Sequence, residues 1–163
     1  LTTALAGVGS GIASKTRGIT HGGYDSGGTS QNTMEYVTIS TLGNAADFGD
    51  LPYIDQQQTG ASSATRGIAF TGGAKDATIT YITIATLGNA LEFGELSTAN
   101  RYAASSGSSP TRAVIGGGGH PSTNNVIEYV QIPTTGNATN FGDLTASRNL
   151  MMQGCFSNGH GGL

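Results

Sequence analysis

The chain has 163 residues, a formal net charge of −3, 27 glycines, no Trp and only 10% charged residues. This length is enough for one domain with a buried core, and the sparse charge argues against exposed helices, which normally carry many Lys and Glu residues. No run of Lys or Arg supplies a basic footprint, and no apolar stretch approaches the ~20 residues that span a bilayer, so we expect neither a nucleic-acid partner nor membrane insertion.

A segment of the chain recurs three times. In chain order its first part is Thr16-Arg17-Gly18-Ile19, which returns with small changes at residues 65–68 and 111–114. A cluster of glycines follows each copy. The copies are spaced by 45 to 49 residues, which is typical of the blades of a β-propeller.

The second part of the repeat is more regular. Tyr36-Val37-Thr38-Ile39 leads to a Gly43-Asn44-Ala45 turn and then to Phe48-Gly49-Asp50-Leu51. The same order appears at residues 81–96 and 129–144. Tyr precedes Leu by 15 residues in every copy. Because Gly and Asn both tolerate positive φ, the Gly-Asn pair indicates a turn at a fixed place in each repeat.

The repeats divide the chain into units at 1–50, 51–95 and 96–143, with a partial unit at 144–163. Leu1 and Thr2 fall in the positions of Leu144 and Thr145, so we expect the array to be cut within a repeat at both ends. Known propellers use at least about four blades. Either more blades lie outside this chain, or chains associate to complete the array.

Each repeat predicts four short extended segments. The first follows the anchoring Leu and is poorly defined, as at 5–9 or 101–105. The second runs from the Arg into the glycines, as at 66–71. The third is the clearest, at 34–40, 79–85 and 126–132, because Ile, Val, Thr and Tyr alternate there as in a half-buried strand. The fourth surrounds Phe-Gly-Asp-Leu and is either a strand or an ordered turn.

We therefore predict an all-β fold of propeller-like (kelch-like) blades, each with four short antiparallel strands. A parallel β-helix is the structural alternative, although its repeat per turn is usually shorter. Helix is not expected, because glycine interrupts nearly every window long enough to form one.

These motifs resemble a known family. Thr-Arg-Gly-Ile, the paired glycines, Glu35-Tyr36-Val37-Thr38-Ile39 and the Gly-Asn-Ala…Phe-Gly-Asp-Leu core are similar to the kelch-like repeats of virion structural and tail-fibre proteins in marine cyanobacterial phages. The resemblance covers essentially the whole chain, although the Trp usual in kelch repeats is missing. It implies a β-propeller-like fold, a place on the virion tail or surface, and a structural or host-contacting role.

Residues that recur in every repeat are interpreted as structural. An Arg fork can satisfy backbone carbonyls or pair with the carboxylate of a neighbouring blade, and the aromatic rings should pack in the core. This predicted structural set comprises Arg17, Arg66, Arg112, Tyr36, Tyr81, Tyr129, Phe48, Phe93, Phe141, Asp50, Glu95 and Asp143.

Candidate binding residues lie where the repeats differ. The spacing from Arg to Tyr is 19, 15 and 17 residues in the three copies, and the variable part follows the glycines at 24–33, 74–77 and 120–125. Loops on a rigid scaffold are where recognition usually resides, although such loops can also be unselected surface turns. The candidates are Tyr24, Asp25, Lys75, Asp76, His120 and Asn124.

No motif for catalysis or for binding a metal or cofactor is recognisable, so we predict a protein that is not an enzyme and has no cofactor. The leading hypothesis is a structural repeat module of a phage tail fibre or capsid appendage, located on the virion. Its expected partners are other copies of itself or other virion proteins, with a host-surface glycan as a further candidate. The alternative is a cellular or secreted adhesin, or a subunit of an extracellular filament, with the same fold.

Overall fold

The computed structural model of the chain describes residues 5–72, 77–99, 104–119, 122–148 and 155–157. These residues form thirteen β-strands and no helix, which confirms the all-β prediction. In the described part of the chain, no helix is long and apolar enough to cross a membrane.

The strands are arranged in three sheets that follow the repeats along the chain. The first sheet contains β1 (Leu5–Ala13), β2 (Arg17–Asp25), β3 (Gln31–Thr38) and β4 (Ala46–Asp55). The second contains β5 (Thr59–Ser62), β6 (Arg66–Phe70), β7 (Thr78–Thr83) and β8 (Leu91–Glu95). The third contains β9 (Ser105–Ser108), β10 (Arg112–Gly116), β11 (Asn124–Gln131), β12 (Thr139–Arg148) and β13 (Cys155–Ser157).

Within each sheet the first four strands form an antiparallel meander, in which every strand pairs with the next one along the chain. The strand that begins at the repeated Arg pairs with the strand that contains the repeated Tyr, and the register of this pair is the same in all three sheets. Ile19 lies opposite Tyr36, Ile68 opposite Tyr81, and Val114 opposite Tyr129. The predicted fourth segment is a strand in each sheet rather than only an ordered turn.

The first strands of successive sheets lie side by side. β1 contacts β5, and β5 contacts β9. β13 pairs with β9 in parallel, with Phe156 opposite Gly107. Gly60 sits against Gly11 so closely that a Cβ at residue 60 would lie 2.9 Å from the Gly11 carbonyl oxygen. Small residues in these strands therefore allow neighbouring sheets to approach at their inner edges.

The hydrophobic core is divided into two clusters, one between each pair of neighbouring sheets. Met34 and Phe48 of the first sheet pack with Ile82 and Ile84 of the second. Other residues of the second sheet, including Ile79, pack with the third sheet. Since side chains alternate between the two faces of a strand, the second sheet contributes one face to each cluster.

Candidate functional site: the contact between repeats

The turn that carries Gly-Asn-Ala binds to the preceding sheet. The Gly88 amide donates to the carbonyl oxygen of Phe48 at 2.8 Å, and the Ala90 amide donates to that of Asp50 at 2.9 Å. The Asp50 amide in turn donates to Oδ1 of Asn89 at 3.0 Å. We call this set of three hydrogen bonds the clasp. It lets a turn of the second sheet satisfy the outer edge of β4, which would otherwise be an unpaired strand edge.

The clasp recurs between the second and third sheets. The Gly136 amide donates to Phe93 O, and the Ala138 amide donates to Glu95 O, both at 2.8 Å. The Glu95 amide donates to Oδ1 of Asn137 at 3.1 Å. The repeated acidic position therefore takes part in the contact through its backbone, and Asp50 and Glu95 do not bond the repeated Arg there.

Glycine in the Phe-Gly-Asp segment is required by this contact. Gly49 has φ +139°, and a Cβ built on it would lie 2.5 Å from the carbonyl carbon and oxygen of Gly88. A Cβ on Gly94 would collide in the same way with the carbonyl of Gly136. Only glycine combines this backbone conformation with so close an approach.

The repeated Arg connects each sheet with the next. Nη1 of Arg17 donates to Ile84 O at 2.7 Å. Nη1 of Arg66 donates to Ile132 O at 2.9 Å and to Pro133 O at 3.0 Å. Of the two options that the sequence left open for this fork, the structure uses backbone carbonyls of the following repeat.

The same guanidinium groups lie over aromatic rings. The guanidinium carbon lies 4.8, 4.5 and 4.6 Å from the ring centroid of the repeated Tyr in the first, second and third repeats. Each Tyr ring meets the repeated Phe ring edge to face, with centroids 6.1, 6.0 and 6.0 Å apart. Cation–π and T-shaped ring contacts both stabilise such a stack. Arg, Tyr and Phe thus form one column in every repeat.

Hydroxyl groups link the inner strands. Oγ of Ser62 donates to Ala13 O at 2.8 Å. Oγ of Ser106 donates to Gly60 O at 2.7 Å and lies 2.6 Å from Oγ1 of Thr59. The bonds of Ser106 satisfy polar groups that are buried where the second and third sheets approach, whereas the bond from Ser62 to Ala13 is exposed.

A buried histidine of β2, His21, faces Gly60 of the second sheet, and sequence reasoning gave it no role. Nδ1 of His21 lies 2.8 Å from Oε1 of Gln58, and both side chains are buried. Burial lowers the pKa of His21 below its usual value of 6.5, because the charged imidazolium is disfavoured away from water, while the bond to Gln58 acts in the opposite direction. Gln58 escapes sequence reasoning because it lies in the link between repeats, outside the repeated motifs.

The candidate binding residues are only partly described. Tyr24 and Asp25 end β2, and Asn124 begins β11, so these three lie at strand ends rather than within loops. The strands run further than the sequence suggested, because β1 and β4 offer partners as far as Asp25 and Gln31. Lys75, Asp76 and His120 lie outside the described residues.

Two of the candidates are engaged locally. Oδ1 of Asp25 accepts hydrogen bonds from the amides of Gly27 and Thr29, both at 2.9 Å. Oδ1 of Asn124 accepts one from the Val126 amide at 2.7 Å. These side chains therefore shape the chain at their own position. Tyr24 is half-buried at the same end of the first sheet as Asp25.

Within the described residues, no group of three or more His, Cys, Asp or Glu side chains could hold a metal ion. No protein-family model matches the chain, and no curated protein sequence matches it.

Proposed function

We propose that this chain is a structural repeat module of a phage tail fibre or virion appendage. In this proposal the three sheets are propeller-like blades that pack side by side, and the module builds an extended array on the virion. The loops at one end of the array contact glycans on the host surface. The proposed role is structural and involves no catalytic step.

The clasp carries the structural part of the proposal. Two successive contacts between sheets use the same three hydrogen bonds, made by turns 88–90 and 136–138. Each sheet thus contacts its neighbours through one repeated interface, as in repeat proteins whose stability is the sum of units and nearest-neighbour contacts. The repeated Gly-Asn-Ala and Phe-Gly-Asp/Glu motifs therefore form the same contact each time they occur between neighbouring sheets.

The meander of four short strands supports the propeller-like part. A blade is a four-stranded antiparallel sheet, and blades meet at their innermost strands. The order β1-β2-β3-β4 and the neighbouring positions of β1, β5 and β9 agree with that arrangement. The virion location is supported by the resemblance of the repeat motifs to phage structural proteins.

Labelling of particles tests the location. Gold-labelled antibodies against the purified chain should decorate the appendages of phage particles in the electron microscope. Label confined to cells or to extracellular filaments would contradict the virion location and would favour the adhesin or filament subunit instead. Antibodies preabsorbed with the purified chain provide the control for specific labelling.

Glycan recognition requires a separate test. The purified chain should bind a subset of host-surface glycans on an array and should reduce phage adsorption to host cells. Tyr24→Ala should weaken both effects, whereas Lys15→Ala should not, since Lys15 is exposed in the turn between β1 and β2 at the opposite end of the sheet. Absence of binding in both assays would refute the glycan part and leave the structural part standing.

A further inference from the structure

The third sheet ends the described array with an uncovered face. Phe48 and Phe93 are only 2% and 3% exposed, because the next sheet covers them. Phe141 occupies the same position in the repeat and is 53% exposed. Gly142 has φ +148°, close to that of Gly49, yet a Cβ built on it meets nothing within 4 Å. We call residues 141–143, together with Arg112, the tail face.

The first sheet begins the array with the complementary uncovered face. Ile84 and Ile132 are 2% and 1% exposed because each packs against the preceding sheet, whereas Ile39 in the same position is 57% exposed. Val37 and the turn that contains Asn44 are exposed as well. We call Val37, Ile39 and residues 43–45 the head face.

The two faces are the separate halves of an interface that the molecule already forms twice. The head face offers the Gly-Asn-Ala turn, and the tail face offers the edge that such a turn binds in the clasp. Arg112 contacts the rings of Tyr129 and Phe141. Among the described residues, it has no hydrogen bond to a carbonyl of a further sheet that corresponds to the bond from Arg17 to Ile84 O. The carbonyl of Ile39 in a second molecule would supply that partner.

We propose that the tail face binds the head face of a second copy of this chain. The clasp would then join Gly43, Asn44 and Ala45 of one copy to Phe141 and Asp143 of the other. Since the two faces differ, the contact is heterologous and propagates head to tail into a ring or filament. This inference deepens the proposed structural function, because it names the surface through which the array grows.

The proposed contact requires the place beside β9, which β13 now occupies, to be free for β1 of the second copy. In the existing interfaces the first strands of neighbouring sheets lie side by side, and β13 holds that place beside β9 over three residues. The incoming copy presents β1, which has nine residues. We therefore expect β1 of the second copy to replace β13 beside β9 as the clasp forms.

Two charge substitutions separate the faces in an experiment. Ile39→Lys blocks the head face and Phe141→Lys blocks the tail face, because each would bury an unpaired charge at the contact. The two charges have the same sign, so the blocked faces cannot pair with each other when the variants are mixed. Both side chains are more than half exposed in the single chain, so the sheets themselves should tolerate the changes. Ile54→Lys is the matched control. Ile54 is 62% exposed even though the first sheet is packed against the second, so this side chain lies outside the contact between sheets.

Mass should be measured by light scattering and analytical ultracentrifugation over a range of concentrations. The wild-type chain and Ile54→Lys should associate as the concentration rises, into a growing series of species for a filament or into one larger closed oligomer for a ring. Ile39→Lys and Phe141→Lys should each remain at the chain mass of 16.4 kDa. An equimolar mixture of the two variants should give a heterodimer and nothing larger, because it contains one intact head and one intact tail.

A wild-type chain that stays monomeric at every concentration would overturn the inference. So would association that persists unchanged in both face variants, or a mixture that forms no heterodimer while the wild type associates. Circular dichroism of each variant establishes that the sheets are intact. None of these outcomes alters the labelling of virions, so failure of this inference and failure of the proposed function are distinguishable.

Discussion

Replacement of Gly49 by Ala tests the contribution of the clasp to stability. Its Cβ would lie 2.5 Å from the Gly88 carbonyl and 2.9 Å from the Asn89 amide nitrogen, and both contacts are with backbone that cannot rotate away. The turn must move, and the three hydrogen bonds of the clasp are weakened or lost. At about 0.5–1.5 kcal/mol for each bond, we expect a cost of about 2–3 kcal/mol from the contact itself.

Gly142→Ala is the matched control for this change. Gly142 has φ +148° and Gly49 has φ +139°, so both substitutions carry a similar backbone strain of about 1–3 kcal/mol. Only Gly49 is covered by the next repeat. The difference between the two variants therefore isolates the contact between sheets.

Unfolding in urea, followed by circular dichroism, measures this difference. It should be done at a concentration low enough to keep the chain monomeric, so that the tail face stays uncovered. With a slope of about 1–3 kcal/mol/M, the midpoint of Gly49→Ala should lie about 1–3 M below that of Gly142→Ala. Equal midpoints for the two variants would refute the reasoning, because they would mean that the clasp contributes nothing beyond the strain.

Three further predictions use the same unfolding assay. Asn89→Ala should lower the free energy of unfolding by about 1 kcal/mol through loss of its bond in the clasp. Asn44→Ala is the control and should change it little, because Asn44 is the equivalent residue on the exposed head face. Equal losses would contradict the role of the clasp. Arg66→Lys should cost about 1–2 kcal/mol, and more than Arg112→Lys, because Arg66, unlike Arg112, bonds carbonyls of the next sheet within the described residues. A larger loss for Arg112→Lys would be inconsistent with this. The lowered pKa of His21 means that the unfolded chain takes up a proton at a higher pH than the folded chain does, so stability should be full above about pH 6.5 and should fall as the pH drops below it. His21→Gln should remove this part of the pH dependence between pH 7 and 5, and an unchanged slope would show that His21 is not its source.

Two sequence features allowed much of the fold to be predicted: the alternation of apolar and polar residues in the strands, and the Gly-Asn pairs that mark turns. The third strand was expected at 34–40, 79–85 and 126–132, and the structure has β3, β7 and β11 there, each ending within one or two residues of the expected position. Strand pairing within a repeat is local, because each strand pairs with the next one along the chain. Short-range patterns are sufficient for such pairs.

The contacts between repeats could not be predicted from the same patterns. The bond from Arg17 to Ile84 joins residues that are 67 positions apart, and that from Asp50 to Asn89 joins residues 39 apart. The sequence indicated that these residues recur, but it left open whether the Arg would bond carbonyls or a carboxylate. Only the stacking of the sheets decides which carbonyl lies within reach.

The sequence by itself determined that this protein is an all-β array of repeats, because alternation, glycine placement and a constant spacing are local properties of the chain. The tertiary structure decided what the repeated residues do. Phe48 and Phe141 occupy the same position in their repeats, yet one is 2% exposed and the other 53%. The physical reason is that burial depends on whether a neighbouring sheet is present, and local sequence does not encode that neighbour.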